Sequence, residues 1–256
     1  MYKGEEMIDL EKAKKAFIDY TNKYDLNNSN ITYKIHHSLR VMNYSKNIAE
    51  NLNLSKEQID LATLIGLLHD IARFEQWKRY ETYNDRKSID HGDLAVEILE
   101  TNNFIREFIE DNKYDEIIKI AIKNHNKYKI EELDGELLLQ SQIIKDADKL
   151  DIFYQIATNY YKNARVTETQ DLSDDFFEEF KKEQCVHKKP DATDVDELVL
   201  ITSFIYDIYF DYSLKILYDE KYIEKMFEQF DFKQPGVKEK IQEIINQANN
   251  YIINKI

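Results

Sequence analysis

The sequence predicts an all-α fold, and its composition and patterning carry that prediction. Only five glycines and two prolines occur in 256 residues, whereas all-β folds use both residue types at their many turns. Apolar residues recur at helical spacing along most of the chain. With 43% apolar and 33% charged residues, the chain is expected to form a globular core. Its length fits a single domain over residues 1–256.

Helices are predicted in order from apolar periodicity and from residues that favour helix ends. In the first half they cover about residues 7–23, 31–52, 55–74, 91–100, 115–124 and 136 to beyond 154. Ser55 and Gln58 predict a capping box at the start of the third helix. Residues 75–90 lack this periodicity and are richer in charged residues, which predicts a long loop. Loops of this length in compact domains are usually functional or disordered.

The second half predicts further helices near residues 174–184, 194–218, 220–230 and 236–252. The most apolar stretch, residues 198–217, is interrupted by Asp207 and Asp211. Because it lacks the roughly 18 uninterrupted apolar residues of a membrane span, we expect a buried helix and no membrane association. The C-terminal extension, about residues 156–256, carries no residue set that suggests chemistry. We expect it to complete the core and to offer a surface for a homodimer.

Charge and cysteine content exclude several classes of protein. A net charge of −14 without a long basic run argues against non-specific nucleic-acid binding. A small anionic ligand stays compatible with this charge, because local cations or metal ions override the global field. The single cysteine, Cys185, excludes an intramolecular disulfide and a cysteine-based zinc cluster. The charged N-terminus lacks the apolar core of a signal peptide, so we expect a cytoplasmic protein.

The residues that suggest chemistry are histidines and aspartates at predicted helix ends. His69 and Asp70 lie together at the tip of an apolar helix, where burial is costly unless something pairs with them. Alone, each histidine would be interpreted as a surface or core residue. Imidazoles and carboxylates that converge from several helix ends are, however, the ligands of a divalent metal ion. The candidates are His37, His69, Asp70, His91, His125 and Asp148.

Small residues precede His69 on the same helical face. Gly66 and Ala62 lie about one and two turns earlier, whereas the other faces carry large aliphatic side chains. Small residues below a ligand leave room for ions and for a partner helix. The alternative is close helix packing alone.

The order of these motifs resembles the HD-domain phosphohydrolase superfamily, whose fold is all-α. The matching motifs are His37 in HSLRV, His69-Asp70 in LLHDIAR and Asp148 in DADKL, within a core of about residues 31–155. The resemblance implies that these four residues bind one metal ion. The stretch HDIARFEQWKRYETYNDRKSIDHG also resembles bacterial HD proteins of undefined substrate.

Two further histidines match the two-metal branch of this superfamily, including its HD-GYP members. Under that resemblance Asp70 bridges two ions, and His91 and His125 bind the second. Asn126 departs from the pattern, because HD-GYP members often carry another histidine there. With one ion, His91 and His125 would instead act on the substrate as acid or base. We expect two divalent transition-metal ions, Mn, Fe, Co, Ni or Zn, with Mg as a further candidate.

Basic residues near the ligands are candidates for substrate binding. Arg73 corresponds to a lysine that holds phosphate in HD-GYP members, so the resemblance implies a phosphate ligand. A salt bridge with Glu75 or another acid is the alternative. The basic 75–90 segment predicts a lid over an anionic substrate, or else a solvated loop. The remaining candidates are Arg40, Lys78, Arg79, Arg86 and Lys87.

The sequence therefore predicts a metal-dependent phosphohydrolase that acts on a small phosphorylated molecule, with a nucleotide as the expected substrate. A metal ion lowers the pKa of bound water, so no serine, cysteine or lysine nucleophile is needed. The catalytic residues would be Asp70, His91 and His125. A di-iron oxygenase of the same fold and a non-enzymatic sensor or scaffold are the alternatives. Iron content and oxygen uptake would identify the oxygenase, and loss of metal ligands would indicate the sensor or scaffold.

Overall fold

The computed structural model describes residues 8–158, 171–230, 232 and 234–256. These residues contain no strand, so the all-α prediction is confirmed. The predicted start of the first helix at residue 7 lies outside the described residues. The helices are α1 (Leu10–Thr21), α2 (Ser29–Asn51), α3 (Lys56–Leu68), α4 (Arg73–Tyr80), α5 (His91–Glu100), α6 (Asp115–Asn124), α7 (Gly135–Ala157), α8 (Asp174–Phe180), α9 (Asp194–Thr202), α10 (Asp211–Asp219), α11 (Tyr222–Glu228) and α12 (Val237–Ile253).

The chain forms two compact units, divided between Asp148 and Lys149. The first unit contains α1 to α6 and the part of α7 that ends at Asp148. The second unit contains the rest of α7 and α8 to α12. The sequence-based expectation of a single domain stays a prediction.

Helix α3 is the centre of the first unit, and every residue from Asp60 to Leu68 is buried. Its start is the predicted capping box, in which Ser55 and Gln58 bind each other's backbone N–H groups. Helix α2 packs closely against α3 at Gly66. A Cβ atom on Gly66 would lie 2.6 Å from Oγ of Ser45 and 2.9 Å from Cα of Met42. Both interpretations of Gly66 predict this close packing, and room for ions below His69 stays a prediction.

The predicted third helix, residues 55–74, is wrong at its end. Helix α3 ends at Leu68, and turns with hydrogen bonds from Ile71 N to Leu68 O and from Arg73 N to Asp70 O separate it from α4. The predicted loop at residues 75–90 is also wrong in its first part, which belongs to α4. Burial of Phe74 and Gln76 stabilises this short helix, although its other side chains are mostly polar. Only the remainder is a loop, with a 3₁₀ turn at Asp85–Lys87.

The second unit departs from the prediction of one long helix over residues 194–218. Helix α9 ends at Thr202, a 3₁₀ turn follows at Ser203–Asp207, and α10 begins only at Asp211. Ile208 and Phe210 have extended backbones. The ammonium of Lys149 donates to both the backbone oxygen and the carboxylate of Asp207, at 2.5 Å each. This ion pair takes up a carbonyl that a continuous helix would use, and the pattern of apolar residues cannot reveal it. None of the described helices is both long enough and apolar enough to cross a membrane.

Candidate metal centre

Four of the predicted ligands meet around one point of the first unit. Nε2 of His37 lies 3.1 Å from Nε2 of His69 and 3.2 Å from both Oδ2 of Asp70 and Oδ1 of Asp148. Nε2 of His69 lies 3.5 Å from Oδ2 of Asp70 and 3.7 Å from Oδ1 of Asp148. These separations suit ligand atoms that each lie about 2.0–2.2 Å from one shared ion.

A second group of ligands meets at the other oxygen of Asp70. Oδ1 of Asp70 lies 3.5 Å from Nε2 of His91 and 3.7 Å from Nε2 of His125. The two Nε2 atoms lie 2.9 Å apart. His91 is the first residue of α5, and His125 directly follows α6. The carboxylate of Asp70 is therefore common to both groups, with one oxygen directed at each.

Hydrogen bonds at Nδ1 orient three of the four imidazoles. Nδ1 of His69 lies 2.9 Å from the carbonyl oxygen of Gly66, and Nδ1 of His125 lies 2.5 Å from that of Ile122. A carbonyl oxygen only accepts, so each Nδ1 carries the proton and each Nε2 presents a lone pair. Nδ1 of His91 is held in the same way by Oδ2 of Asp85 at 2.6 Å. This is the arrangement expected of histidines that bind a metal ion through Nε2.

Lowered pKa values keep the imidazoles of His69 and His91 neutral. Burial lowers the pKa of His69, and burial together with the positive charge of Arg73 lowers that of His91 to about 4. Nε2 of His91 and Nε2 of His125 face each other at 2.9 Å, and the hydrogen bonds at Nδ1 of both rings place the ring protons on the opposite side. Such an approach is repulsive unless a cation lies between the nitrogens. The donor set and its geometry fit divalent metal ions.

Neighbouring cations and a hydrogen bond hold the two carboxylates in the centre ionised. Burial by itself raises the pKa of Asp70, but the charges of Lys34 and Arg73 outweigh it and hold the pKa well below the usual range. Burial opposes ionisation of Asp148 too, and the hydrogen bond with His37 does most to lower its pKa. Both aspartates are thus in the anionic form that metal binding requires.

Three residues of the site were missed by the sequence analysis. Lys34, one turn before His37, places its Nζ 2.6 Å from Oδ2 of Asp70. Asp85 lies in the 3₁₀ turn before His91 and binds its Nδ1. Gln76 is fully buried and donates to Asp85, Ser88 and the backbone of Ile89. The spacing of Lys34 from His37 places both residues on about the same face of a helix. Nothing in the sequence distinguishes Asp85 or Gln76 from neighbouring polar residues.

Arg73 is engaged by protein acceptors. Its Nε donates to Oδ1 of Asp70 at 3.3 Å, and Nη1 donates to Gln76 at 2.7 Å, to the backbone oxygen of Tyr83 at 2.8 Å and to Asp85 at 3.0 Å. The guanidinium also lies over the ring of Tyr83. The salt bridge weighed as the alternative therefore exists, with Asp70 and Asp85 and not with Glu75. Phosphate binding by Arg73 stays a prediction.

The other basic candidates differ in their surroundings. Arg79 and Lys78 are exposed residues of α4 that pair with Glu75, and Lys78 also lies over the ring of Tyr24. Arg86 and Lys87 are exposed in the turn that begins with Asp85. Arg40 lies half-buried on α2, three residues after His37. Substrate binding by these five residues stays a prediction.

Asn126, which stands where HD-GYP members often have histidine, also lies beside this centre. Its side-chain nitrogen lies 3.3 Å from Oδ2 of Asp85 and 3.1 Å from Oδ1 of Asp90. It is 3.3 Å from Nδ1 of His91. The asparagine thus contacts groups that surround the ligands.

In this all-helical fold, histidines and aspartates are grouped around a shared carboxylate in a way that could hold metal ions. Residues 35–152 match the family model described as HD domain. The match includes all six predicted ligands and supports the resemblance of this part of the chain to the HD-domain superfamily of metal-dependent phosphohydrolases. Comparisons with curated proteins and with solved structures gave no significant match.

Proposed function

We propose that this protein hydrolyses a phosphoester of a small phosphorylated molecule, with nucleotides as the substrate class. The observation that carries the proposal is the carboxylate of Asp70. One of its oxygens faces His37 and His69, and the other faces His91 and His125. A carboxylate in this position supports a centre of two ions that share one ligand. Paired ions are a recurring device for phosphoryl chemistry in proteins.

The proposed ligands divide between the two ions. His37, His69, Asp148 and Oδ2 of Asp70 would hold the first ion, and His91, His125 and Oδ1 of Asp70 the second. When bound, divalent ions lower the pKa of a water molecule to about 7 and neutralise charge on a phosphoryl group. The chain then needs to supply no nucleophile of its own. The mixed nitrogen and oxygen ligands favour Mn, Fe, Co, Ni or Zn over Mg.

The chain's own residues orient the ligands and define the open side of the site. Asp85 and the carbonyl oxygens of Gly66 and Ile122 hold the protons at Nδ1, which leaves Nε2 available. The histidine ligands are at most 5% exposed, whereas the side chain of Asp148 is 21% exposed. The substrate would therefore reach the centre from the side of Asp148.

Of the basic residues in the 75–90 segment, we retain Arg86 and Lys87 as the better candidates for substrate contact. They directly follow Asp85, which touches His91, and their side chains are exposed. Lys78 and Arg79 form ion pairs with Glu75, which favours a role in stabilising α4.

Metal content and phosphate release test the proposal together. Purified protein reloaded with Mn or Co should bind two equivalents and hydrolyse a generic phosphoester or members of a nucleotide panel. His91→Ala and His125→Ala should each lower the stoichiometry by about one equivalent and abolish most turnover. His36→Ala is the matched control, because His36 adjoins His37 but is exposed. It should change neither quantity.

Each other result identifies a different function or number of ions. Variants His91→Ala and His125→Ala that keep their metal and lose only rate would indicate one ion, with these histidines acting on the substrate. Iron content with oxygen uptake, and no phosphate release, would indicate an oxygenase. Wild-type protein that binds no metal after reloading would overturn the proposal.

A further inference from the structure

Lys34 is a buried lysine at the edge of the ligand cluster. It lies on α2, one turn before His37, and only 8% of the residue is exposed. Its Nζ atom lies 2.6 Å from Oδ2 of Asp70. Burying an ammonium group is costly unless it is paired, so an anionic group is expected beside Lys34.

Two aromatic rings hold the ammonium group in place. Nζ of Lys34 lies 5.5 Å from the ring centroids of both Tyr33 and Tyr83. The hydroxyl of Tyr83 in turn donates to the backbone oxygen of Asn30 on α2, at 2.8 Å. The rings attract the cation and restrict its side-chain rotamers, so the donor is positioned before any ligand arrives.

The ammonium of Lys34 has donors to spare. An ammonium group carries three N–H donors. Among the residues that the structure describes, Asp70 is the one acceptor recorded for Nζ of Lys34. The neighbouring cation differs, because Nε and Nη1 of Arg73 donate to four protein acceptors and thereby hold its guanidinium in a protein network. Lys34 can therefore bind an additional anionic oxygen beside Asp70 without giving up its bond to the protein.

We infer that Lys34 binds a non-bridging oxygen of the substrate's phosphoryl group, an inference that rests on the proposed function. Asp70 Oδ2 has more than one lone pair, so it can accept from Lys34 and still serve as a ligand. The remaining N–H donors then form charge-assisted hydrogen bonds with the phosphoryl oxygen. Lys34, which lies on a different helix, would then have the phosphate-binding role that the resemblance assigns to Arg73.

Binding of inorganic phosphate to the Mn-loaded protein tests this inference without reference to turnover. Isothermal titration calorimetry should show that Lys34→Met weakens phosphate binding by roughly 10- to 100-fold, the loss expected for a hydrogen bond to a charged group. The Mn stoichiometry should match that of the wild type. Lys34→Arg keeps the charge and should bind with intermediate affinity. Lys46→Met, on the exposed side of the same helix, is the control and should bind as the wild type does.

The possible results separate the inference from the proposed function. Wild-type affinity in Lys34→Met would overturn the role of Lys34 and leave the proposed function standing. Loss of Mn from this variant would show that Lys34 supports the ligands and does not bind phosphate. Wild-type protein that binds Mn but no phosphate would overturn both proposals. If Lys34→Met fails to fold, Lys34→Gln keeps a donor for Asp70, removes the charge and should show the same loss of affinity.

Discussion

Oδ2 of Asp85 lies 2.6 Å from Nδ1 of His91, and the other oxygen of the same carboxylate accepts a hydrogen bond from Arg73. Asp85 thus joins a proposed ligand to the half-buried cation of Arg73. Burial opposes the ionised form, but the hydrogen bond from His91 and the charge of Arg73 lower the pKa of Asp85. An ionised carboxylate at this place fixes the orientation of the imidazole and strengthens Nε2 as a ligand.

Replacing Asp85 should weaken one of the two proposed metal sites more than the other. Asp85→Asn removes the charge behind His91 but retains the side chain's size. Loss of such a supporting carboxylate commonly costs roughly 10- to 100-fold in metal affinity. We expect a loss in this range for the ion held by His91 and His125, and little change for the ion held by His37 and His69. Competition titration with a chelating dye measures both affinities.

The control for this substitution is Asp93→Asn. Asp93 lies on the same helix as His91, its side chain is 54% exposed, and it is 3.9 Å from Lys127. It should bind both ions as the wild type does. Equal affinities in Asp85→Asn and wild type would show that Asp85 does not tune the site.

Arg73→Ala should destabilise the fold. The substitution removes hydrogen bonds to Asp70, Gln76 and Asp85 and leaves part of a buried network unpaired. We expect a decrease of about 2–3 kcal/mol in the free energy of unfolding. Urea denaturation measures it, with Arg79→Ala as the control, because the exposed pair of Arg79 with Glu75 should contribute less than about 1 kcal/mol. Unchanged stability with weaker phosphate binding would instead favour the phosphate role.

Gly66→Ala should push α2 and α3 apart. The new Cβ atom would lie 2.9 Å from Cα of Met42, which is backbone and cannot rotate away, and 2.6 Å from Oγ of Ser45. Overpacking of this kind costs about 1–3 kcal/mol. Thermal unfolding should show a lower midpoint, and adding Ser45→Ala should recover only part of the loss. A melting temperature equal to that of the wild type would show that the helices separate freely.

Asp90 should contribute stability that is lost in acid. Its Oδ1 caps α5 by accepting from the backbone of Gly92 and Asp93, and Oδ2 binds Lys127 at 2.7 Å. Burial alone raises the pKa of Asp90, yet the bond from Lys127 and these backbone bonds lower it to about 2. The folded-state pKa lies below the unfolded value of about 3.9. The contribution is therefore complete above pH 4 and disappears as the pH falls towards 2.

The corresponding measurement is the unfolding free energy of Asp90→Ala against pH. Loss of the cap should cost about 1 kcal/mol at pH 7. The difference from the wild type should shrink between pH 4 and pH 2, because the protonated wild-type side chain no longer retains its ionic bonds. A difference that stays constant over this range would show that the charge of Asp90 is unimportant.

Much of the candidate metal centre could be predicted because its proposed ligands carry local signals. His69-Asp70 ends an apolar helix, His91 begins one and His125 follows another, and each of these positions is readable from periodicity. The ligands were also recognisable by the order of their motifs. Lys34, Asp85 and Gln76 could not be identified in this way, since their role depends on which distant residues the fold brings beside them.

Local periodicity, capping and residue chemistry are sufficient to predict the all-α class, the ends of most helices and the six candidate ligands. Long-range packing decided which oxygen of Asp70 faces which histidines. It also decided that α3 ends before Asp70 and that Arg73 is bound by Asp85 and Gln76. These contacts could not be predicted because buried charged groups pair with groups that lie far away in the sequence. Those pairings depend on packing and desolvation, which no local pattern encodes.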